Sequence, residues 1–375
     1  MNLNEVLDNL SASGNLRKIP EDRRLENIID FSTNDYLGLA SYSMDRMSSL
    51  YPELKNVPMT SSASRLLAGI QHEYNDLENE LATLYGRQAL LYNSGYHANT
   101  GVISAIADRS TIVIADRLVH ASIIDGILLS RAKLTRFNHN DLDMLESMIE
   151  QNYNSGHRIL VIVESVYSMD GDSPDMNRLV ELKEKYPSII LYVDEAHAFG
   201  VLGPKGLGLA METVNPKAFD IIVMTFGKAL ASYGACVITS PEIKEFLVNK
   251  SRSLIFSTSL PPVMALWSKI MLEKMISAND RRLMLQAHVD LLHKTLSHFK
   301  GGVPDAPSHI RALIIGDAQK TVEASRKLRD NGLLVLPIRT PTVPAGTERL
   351  RISLSAAMQP DDILKLSKAL ECITD

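Results

Sequence analysis

Through the middle of the chain, apolar residues collect into short unbroken runs at 89–92, 111–115, 159–164, 189–194, 221–225 and 235–239. Runs this short and this rich in β-branched residues predict strands, and the absence of alternation predicts that both faces of the sheet are covered. Between them the spacing changes. Tyr74, Leu77, Leu81 and Leu84 recur at helical intervals through 73–85, and 175–185 reads the same way before Pro187 closes it. Pro261 and Pro262 open a further predicted helix that runs through Lys274, because proline suits a first helical turn. Strands alternating with helices predict an α/β fold with a mostly parallel sheet. The C-terminal part follows another order: a strand near 309–315, a helix near 321–331, strands at 333–338 and 349–354, and a closing helix from Pro360. The expected organisation is an N-terminal arm over 1–45, a large α/β domain over 46–275 and a smaller α+β domain over 276–375.

Composition narrows the class of protein. A chain of 375 residues allows two or three domains at roughly 150 residues each. With 45% hydrophobic and 22% charged residues it has the make-up of a folded globular protein. Thirty-nine basic against 44 acidic residues leave a net charge of −5, which gives no electrostatic footprint for nucleic acid. No apolar run approaches the ~20 residues of a membrane span, and the opening MNLNEVLDNL lacks a leader pattern, so a cytoplasmic location is expected. Cys236 and Cys372 alone can build neither a disulfide framework nor a cysteine zinc site.

Three motifs fail on inspection. Gly227-Lys228 is not a phosphate loop, because Ile222 stands where that loop needs glycine and Ala229 replaces its hydroxyl residue. The glycines at 200, 203, 206 and 208 do not make a dinucleotide-binding turn. His288, His293 and His298 are five residues apart, which turns successive rings about 140° round a helix, so they read as surface histidines and no metal is expected.

The suggestive chemistry sits where predicted strands end, the place where open α/β sheets hold their ligands. The strand at 189–194 runs into Asp194-Glu195-Ala196-His197, and the strand at 221–225 into Thr225-Phe226-Gly227-Lys228. An aspartate there either caps a following helix or meets a cationic partner. A lysine there either reaches solvent or is desolvated into a nucleophile. Upstream, Asn93-Ser94-Gly95-Tyr96-His97-Ala98-Asn99 forms a small polar turn leading into a helix, where backbone amides suit a phosphate. Lysine for a Schiff base, carboxylate for a pyridine nitrogen and a helix N-terminus for a phosphate form the set that pyridoxal phosphate requires.

Over nearly its whole length the chain is similar to the α-oxoamine synthases, a family of fold-type-I pyridoxal-phosphate enzymes. The motifs that carry the resemblance include Phe31-Ser-Thr-Asn-Asp-Tyr-Leu-Gly38, Ser64-Arg-Leu66, Ser94-Gly-Tyr-His-Ala-Asn99, Ser168-Met-Asp-Gly-Asp172, Val193-Asp-Glu-Ala-His-Ala-Phe-Gly200, Thr225-Phe-Gly-Lys228 and Ser257-Thr-Ser-Leu-Pro-Pro262. A last one is Pro341-Thr-Val-Pro-Ala-Gly-Thr-Glu-Arg-Leu-Arg351. The resemblance implies that Lys228 forms the Schiff base, that Asp194 pairs with the pyridine nitrogen, that His197 meets the ring oxygen and that His120 stacks on the ring. It also places the amides of Gly95 and Tyr96 and the hydroxyls of Ser168, Thr225 and Thr258 on the cofactor, Thr258 from a neighbouring subunit. Arg351, with Arg349 as the alternative and a surface partner by its ordinary reading, implies a carboxylate site, and Arg17, Asn34 and Thr342 map to substrate positions. The implied assembly is a homodimer with its active site at the interface. Within the family, Ser64-Arg65-Leu66 and the Thr-Phe-Gly-Lys motif favour the branch that condenses L-alanine with a pimeloyl thioester, on coenzyme A or acyl carrier protein. Branches that use glycine to make 2-amino-3-oxobutyrate or 5-aminolevulinate are the alternative. Either His120 or His197 could polarise the thioester carbonyl, and Arg23, Arg24, Arg131, Lys133 and Arg136 either meet the anionic donor or are ordinary charged surface.

Overall fold

The computed structural model describes residues 2–17, 19, 28–42, 49–69, 72–296 and 308–374, so Arg23, Arg24 and His298 lie outside the described residues. Its strands are β1 Ile29–Asp30, β2 Gln88–Tyr92, β3 Thr111–Asp116, β4 Lys133–Phe137, β5 Arg158–Glu164, β6 Ile190–Asp194, β7 Ile221–Thr225, β8 Ala235–Thr239, β9 Ile310–Ile314, β10 Leu333–Leu334, β11 Leu336–Ile338 and β12 Arg349–Ser353. Two compact units share them: Leu37–Tyr167 with Ser173–Asn279, and Met1–Tyr36 with Ser168–Asp172 and Asp280–Asp375.

The large unit is built on a seven-stranded sheet in the order β2-β8-β7-β6-β5-β3-β4. Strand β8 runs antiparallel to both its neighbours, and every other neighbouring pair is parallel. β3 and β8 are buried at every position, as unbroken apolar runs require when helices cover both faces. Leu90, Val113, Leu160, Ile162, Tyr192, Val223 and Val237 from the sheet pack with Val102, Ile103 and Ile123 from the helices into one core. β4 has no counterpart in the apolar pattern. It forms the sheet edge with Lys133 and Arg136 exposed, charges that blunt an otherwise pairable strand. Arg131 stands just before it as a left-handed helix cap.

Helix starts follow local chemistry. Ser94, Asp141, Asp175 and Ser240 each accept an amide of the first turn, and each such cap contributes about 1 kcal/mol. The helices Gly95–Ile106 and Ala121–Ser130 approach closely because Gly126 has no side chain. A Cβ there would fall 2.9 Å from the Asn99 carbonyl oxygen and 3.1 Å from the Ile103 Cβ. That contact brings the start of one helix beside the other, which matters for the site.

The small unit carries an antiparallel sheet in the order β11-β12-β9 and a parallel pair, β1 with β10. The single strand expected over 333–338 is two, since Leu333–Leu334 bonds to β1 and Leu336–Ile338 to β12. The surface reading of His288 is corrected as well. It lies on the apolar stripe of Asn279–Leu296 with Leu285, Val289 and Leu292, is 1% exposed, and its Nδ1 is 3.1 Å from the Ser355 carbonyl oxygen. His293 is half-buried.

Candidate active site

In the large unit, β6 ends on Asp194 and β7 on Thr225, and the loops that follow carry His197 and Lys228. Asp194 is buried. One carboxylate oxygen accepts the Ala196 amide at 2.9 Å and the other accepts Asn99 Nδ2 at 2.8 Å, so both oxygens are aimed. Lys228 is half-buried, with Nζ 2.7 Å from Nε2 of the buried His197. The β5–β6 register sets Glu164 directly beside Asp194. Burial, then the neighbouring Asp194 charge, pushes the Glu164 carboxyl well above its usual range. Glu164 Oε1 accepts the main-chain amide of His120 at 2.5 Å. The His120 ring is exposed on one side, while desolvation along its packed side and the Lys228 charge lower its pKa against the pull of Asp194.

A helix N-terminus stands beside these groups. Ser94 caps Gly95–Ile106 by accepting the His97 amide at 3.3 Å, and the amides of Gly95 and Tyr96 have no protein acceptor among the described residues. Two free amides at a helix N-terminus attract an anion. A Cβ on Gly95 would lie 3.4 Å from the Thr225 Cβ and 3.6 Å from its hydroxyl oxygen, ordinary contact distances that place the helix start against the end of β7. The Thr225 hydroxyl donates to the Gly234 carbonyl at 3.3 Å. The Tyr96 side chain is exposed and its hydroxyl donates to Asp125, so the residue is not core. Thr258 is exposed, forms an isolated bridge with Ser64, and its carbonyl accepts Asn93 Nδ2 at 2.6 Å. Amine, aimed carboxylate, ring histidine and anion cradle together fit pyridoxal phosphate.

In the small unit the arginines of β12 differ sharply. Both are buried, which corrects the reading of Arg349 as a surface partner. Arg349 is consumed by an ion pair with Asp170 and by the Met169 and Thr347 carbonyls. Among the described residues Arg351 meets neutral groups: its Nε donates to the Ser168 carbonyl at 2.6 Å, its two terminal nitrogens donate to Ser353 Oγ at 2.7 Å and Asn34 Oδ1 at 3.2 Å, and it also hydrogen-bonds the buried Tyr36 hydroxyl. A buried guanidinium without an anion is costly, so Arg351 is the one that calls for a bound carboxylate. Arg17 and Thr342 are also brought together, with Arg17 donating to the Thr342 hydroxyl at 2.7 Å on an exposed surface.

Sequence reasoning passed over Glu164, Asn99, Ser122 and Glu195. Glu164 carries the same signal as Asp194, a carboxylate ending an apolar strand. Glu195 is fully buried and accepts Ser165 Oγ at 2.5 Å and the Ala210 and Leu209 amides at 2.6 and 3.2 Å, which ties down the loop after β6. Asn99 and Ser122 are small polar residues whose importance lies in partners remote in sequence. Among the described residues no cluster of side chains could hold a metal ion, and no helix is long and apolar enough to cross a membrane.

Residues 26–370 match the family model described as aminotransferase class I and II. A Pasteurella multocida protein provisionally named 8-amino-7-oxononanoate synthase is 43% identical, covering 98% of this chain and 97% of its own. Among solved structures, Sphingomonas wittichii serine palmitoyltransferase superposes with a TM-score of 0.89 at 28% identity, over 99% of this chain and 96% of that one. The same enzyme type has been solved with PLP. The 8-amino-7-oxononanoate synthase of Francisella tularensis superposes with a TM-score of 0.77 at 30% identity, over 92% and 97% of the two chains. The chain therefore belongs to the class I and II aminotransferase family of fold-type-I, PLP-dependent enzymes, and within it to the α-oxoamine synthase type.

Proposed function

We propose that this protein condenses L-alanine with a pimeloyl thioester, releasing carbon dioxide and the free thiol and forming 8-amino-7-oxononanoate for biotin. The observation that supports these substrates is the 43% identity, over 98% of the chain, to a relative carrying that name. An amino acid with a free carboxylate is supported separately by Arg351, the buried guanidinium with neutral partners.

Lys228 would hold pyridoxal phosphate, with Asp194 on its ring nitrogen, His197 on its ring oxygen and the Gly95 and Tyr96 amides on its phosphate. Ser168, Thr225 and Thr258 would add hydroxyl contacts. Bound there, the cofactor supplies an electron sink for the carbanion left when alanine loses its α-proton. The Lys228 amine would be the base for that proton. His197, 2.7 Å from Nζ, orients the amine. The Arg351 fork grips the alanine carboxylate in a planar, two-point geometry and holds it until the carbon–carbon bond has formed. Arg17, Asn34 and Thr342 line the substrate path. The proposed form in solution is a cytoplasmic homodimer, with exposed Leu66, Leu67 and Phe256 flanking the Ser64–Thr258 bridge as its contact surface.

A second reading rests on the close superposition with serine palmitoyltransferase, which would make serine the amino acid and a longer acyl thioester the donor. Product mass spectrometry with alanine, glycine or serine, each offered with pimeloyl-coenzyme A and pimeloyl-acyl carrier protein, separates the readings. Product from alanine alone is expected. Product from glycine or serine alone rejects the assignment, and an active monomer on gel filtration rejects the dimer.

A further inference from the structure

The buried polar groups around His120 form a chain whose hydrogen-bond directions can be worked out from one end. Asp194 is an acceptor. The Asn99 amide group facing it, 2.8 Å from Oδ2, must therefore be the NH2 side, since a carbonyl there would set two acceptors against each other. The Asn99 oxygen then faces Tyr192, whose hydroxyl donates to it at 2.6 Å. The second Asn99 N–H reaches Ser122 Oγ at 2.9 Å. Having accepted that proton, the Ser122 hydroxyl turns its own hydrogen toward His120 Nδ1, 2.7 Å away. The Ser122 main-chain amide donates to the same Nδ1 at 3.2 Å. Nδ1 thus faces two donors and must carry a lone pair. The ring proton sits on Nε2, which has no partner among the described residues.

We propose that Asn99 is a positioning residue that uses the Asp194 carboxylate as its anchor to hold His120 in the neutral tautomer with the proton on Nε2. His120 then enters the reaction as a donor and not as a base, which assigns it, rather than the Lys228-bound His197, to the substrate oxygen. This last clause rests on the proposed condensation; the tautomer itself does not. The charged groups around the ring are Asp194 on β6, Lys228 after β7, Glu164 on β5 and Asp125 on the helix His120 begins. None of them can donate to Nδ1 in place of Ser122, because Ser122 already fills that side.

The test is nitrogen-15 NMR of the full chain with its cofactor bound, using ring-labelled histidine. The signals of His120, one of 10 histidines, are identified by their loss in His120→Gln. The parent is expected to show a lone pair on Nδ1 and a proton on Nε2, and to keep them to a pH below the ordinary histidine midpoint. Asn99→Ala frees the Ser122 hydroxyl to accept from Nδ1, so the His120 midpoint should rise by about half a unit to one unit. Tyr192→Phe removes one oxygen without changing shape and should shift it the same way by less. Ser122→Ala, a smaller change than Asn99→Ala, should raise the midpoint in the same direction and takes its place as the readout where the Asn99→Ala cavity prevents folding. A merely structural role would lower thermal stability and leave tautomer and midpoint alone. A protonated Nδ1 in the parent, or an unchanged His120 titration in Tyr192→Phe and Ser122→Ala, overturns the proposal. Neither readout depends on which substrates the enzyme condenses, so failure here leaves the functional reading standing, and failure there leaves this one.

Discussion

The strand ends of the large unit and the central strand of the small unit both bury ionisable groups, carboxyls in the first and guanidiniums in the second. In the large unit, Asp194 and Glu164 end adjacent strands in register, with their oxygens aimed by Asn99, Ala196 and the His120 amide. In the small unit, β12 carries Arg349 and Arg351 into the interior two residues apart, one matched by Asp170 and the other met, among the described residues, by neutral oxygens. Because unmatched buried charge is costly, each region indicates the sign of what it receives. The acidic strand ends suit a protonated ring, and the unmatched guanidinium suits a carboxylate. The matched pair on the same strand is a built-in control, since Arg349 has the same burial and the same chemistry but is already neutralised.

Breaking the large-unit side should give the largest effect. Lys228→Ala removes the amine that would hold the cofactor and take the proton, and turnover is expected to fall ~10³-fold or more. Borohydride should no longer trap cofactor on the chain, and trapping that survives would move the attachment elsewhere. Asp194→Asn keeps the shape but removes the charge and one accepted hydrogen bond, because its NH2 would face either the Ala196 amide or Asn99 Nδ2, and a loss of ~10²–10³ in kcat is expected.

The two arginines sharpen the small-unit side. Arg351→Gln should lower kcat/KM for the amino acid ~10²-fold, in line with the loss of a buried partner to a bound carboxylate. Asp170→Ala should leave that parameter nearly unchanged and instead lower the unfolding free energy by about 3 kcal/mol, because Arg349 is left buried and unpaired. Equal effects of the two substitutions on kcat/KM for the amino acid, measured side by side, would erase the distinction between the arginines.

The smallest effect concerns a carboxyl that serves the fold. Burial lifts Glu195 to about 7 from a usual 4.5, so the folded chain keeps a proton that the unfolded chain has already released. That contribution is complete at pH below about 4.5 and is lost as pH rises through about 7. Over that window the parent should lose about 1–3 kcal/mol relative to Glu195→Gln, read from urea unfolding at a series of pH values. A difference that stays constant with pH would mean Glu195 is ionised throughout.

Much of the frame was legible in order of residues alone. The apolar runs that became β2, β3, β5, β6, β7 and β8 were visible because helices cover both sheet faces, so nothing polar interrupts them. β4 was hidden for the converse reason: an edge strand is half solvated, and Lys133 and Arg136 break its pattern. Lys228, Asp194 and His197 could be picked out because strand ends are local features. Arg349 could not be told from Arg351, since the decisive aspartate is 179 residues away in the chain.

The sequence by itself determined the buried strands of the large sheet, the family and the chemical kinds of group at the strand ends, because helix and strand periodicity, caps and turns act over a few residues. Only the tertiary structure decided which charges are cancelled and which way each hydrogen bond runs. Asn99 reaches Asp194 across 95 residues and Tyr192 across 93. Partners that far apart meet only after the sheet has closed, and the low-dielectric interior then makes each pairing, or its absence, count.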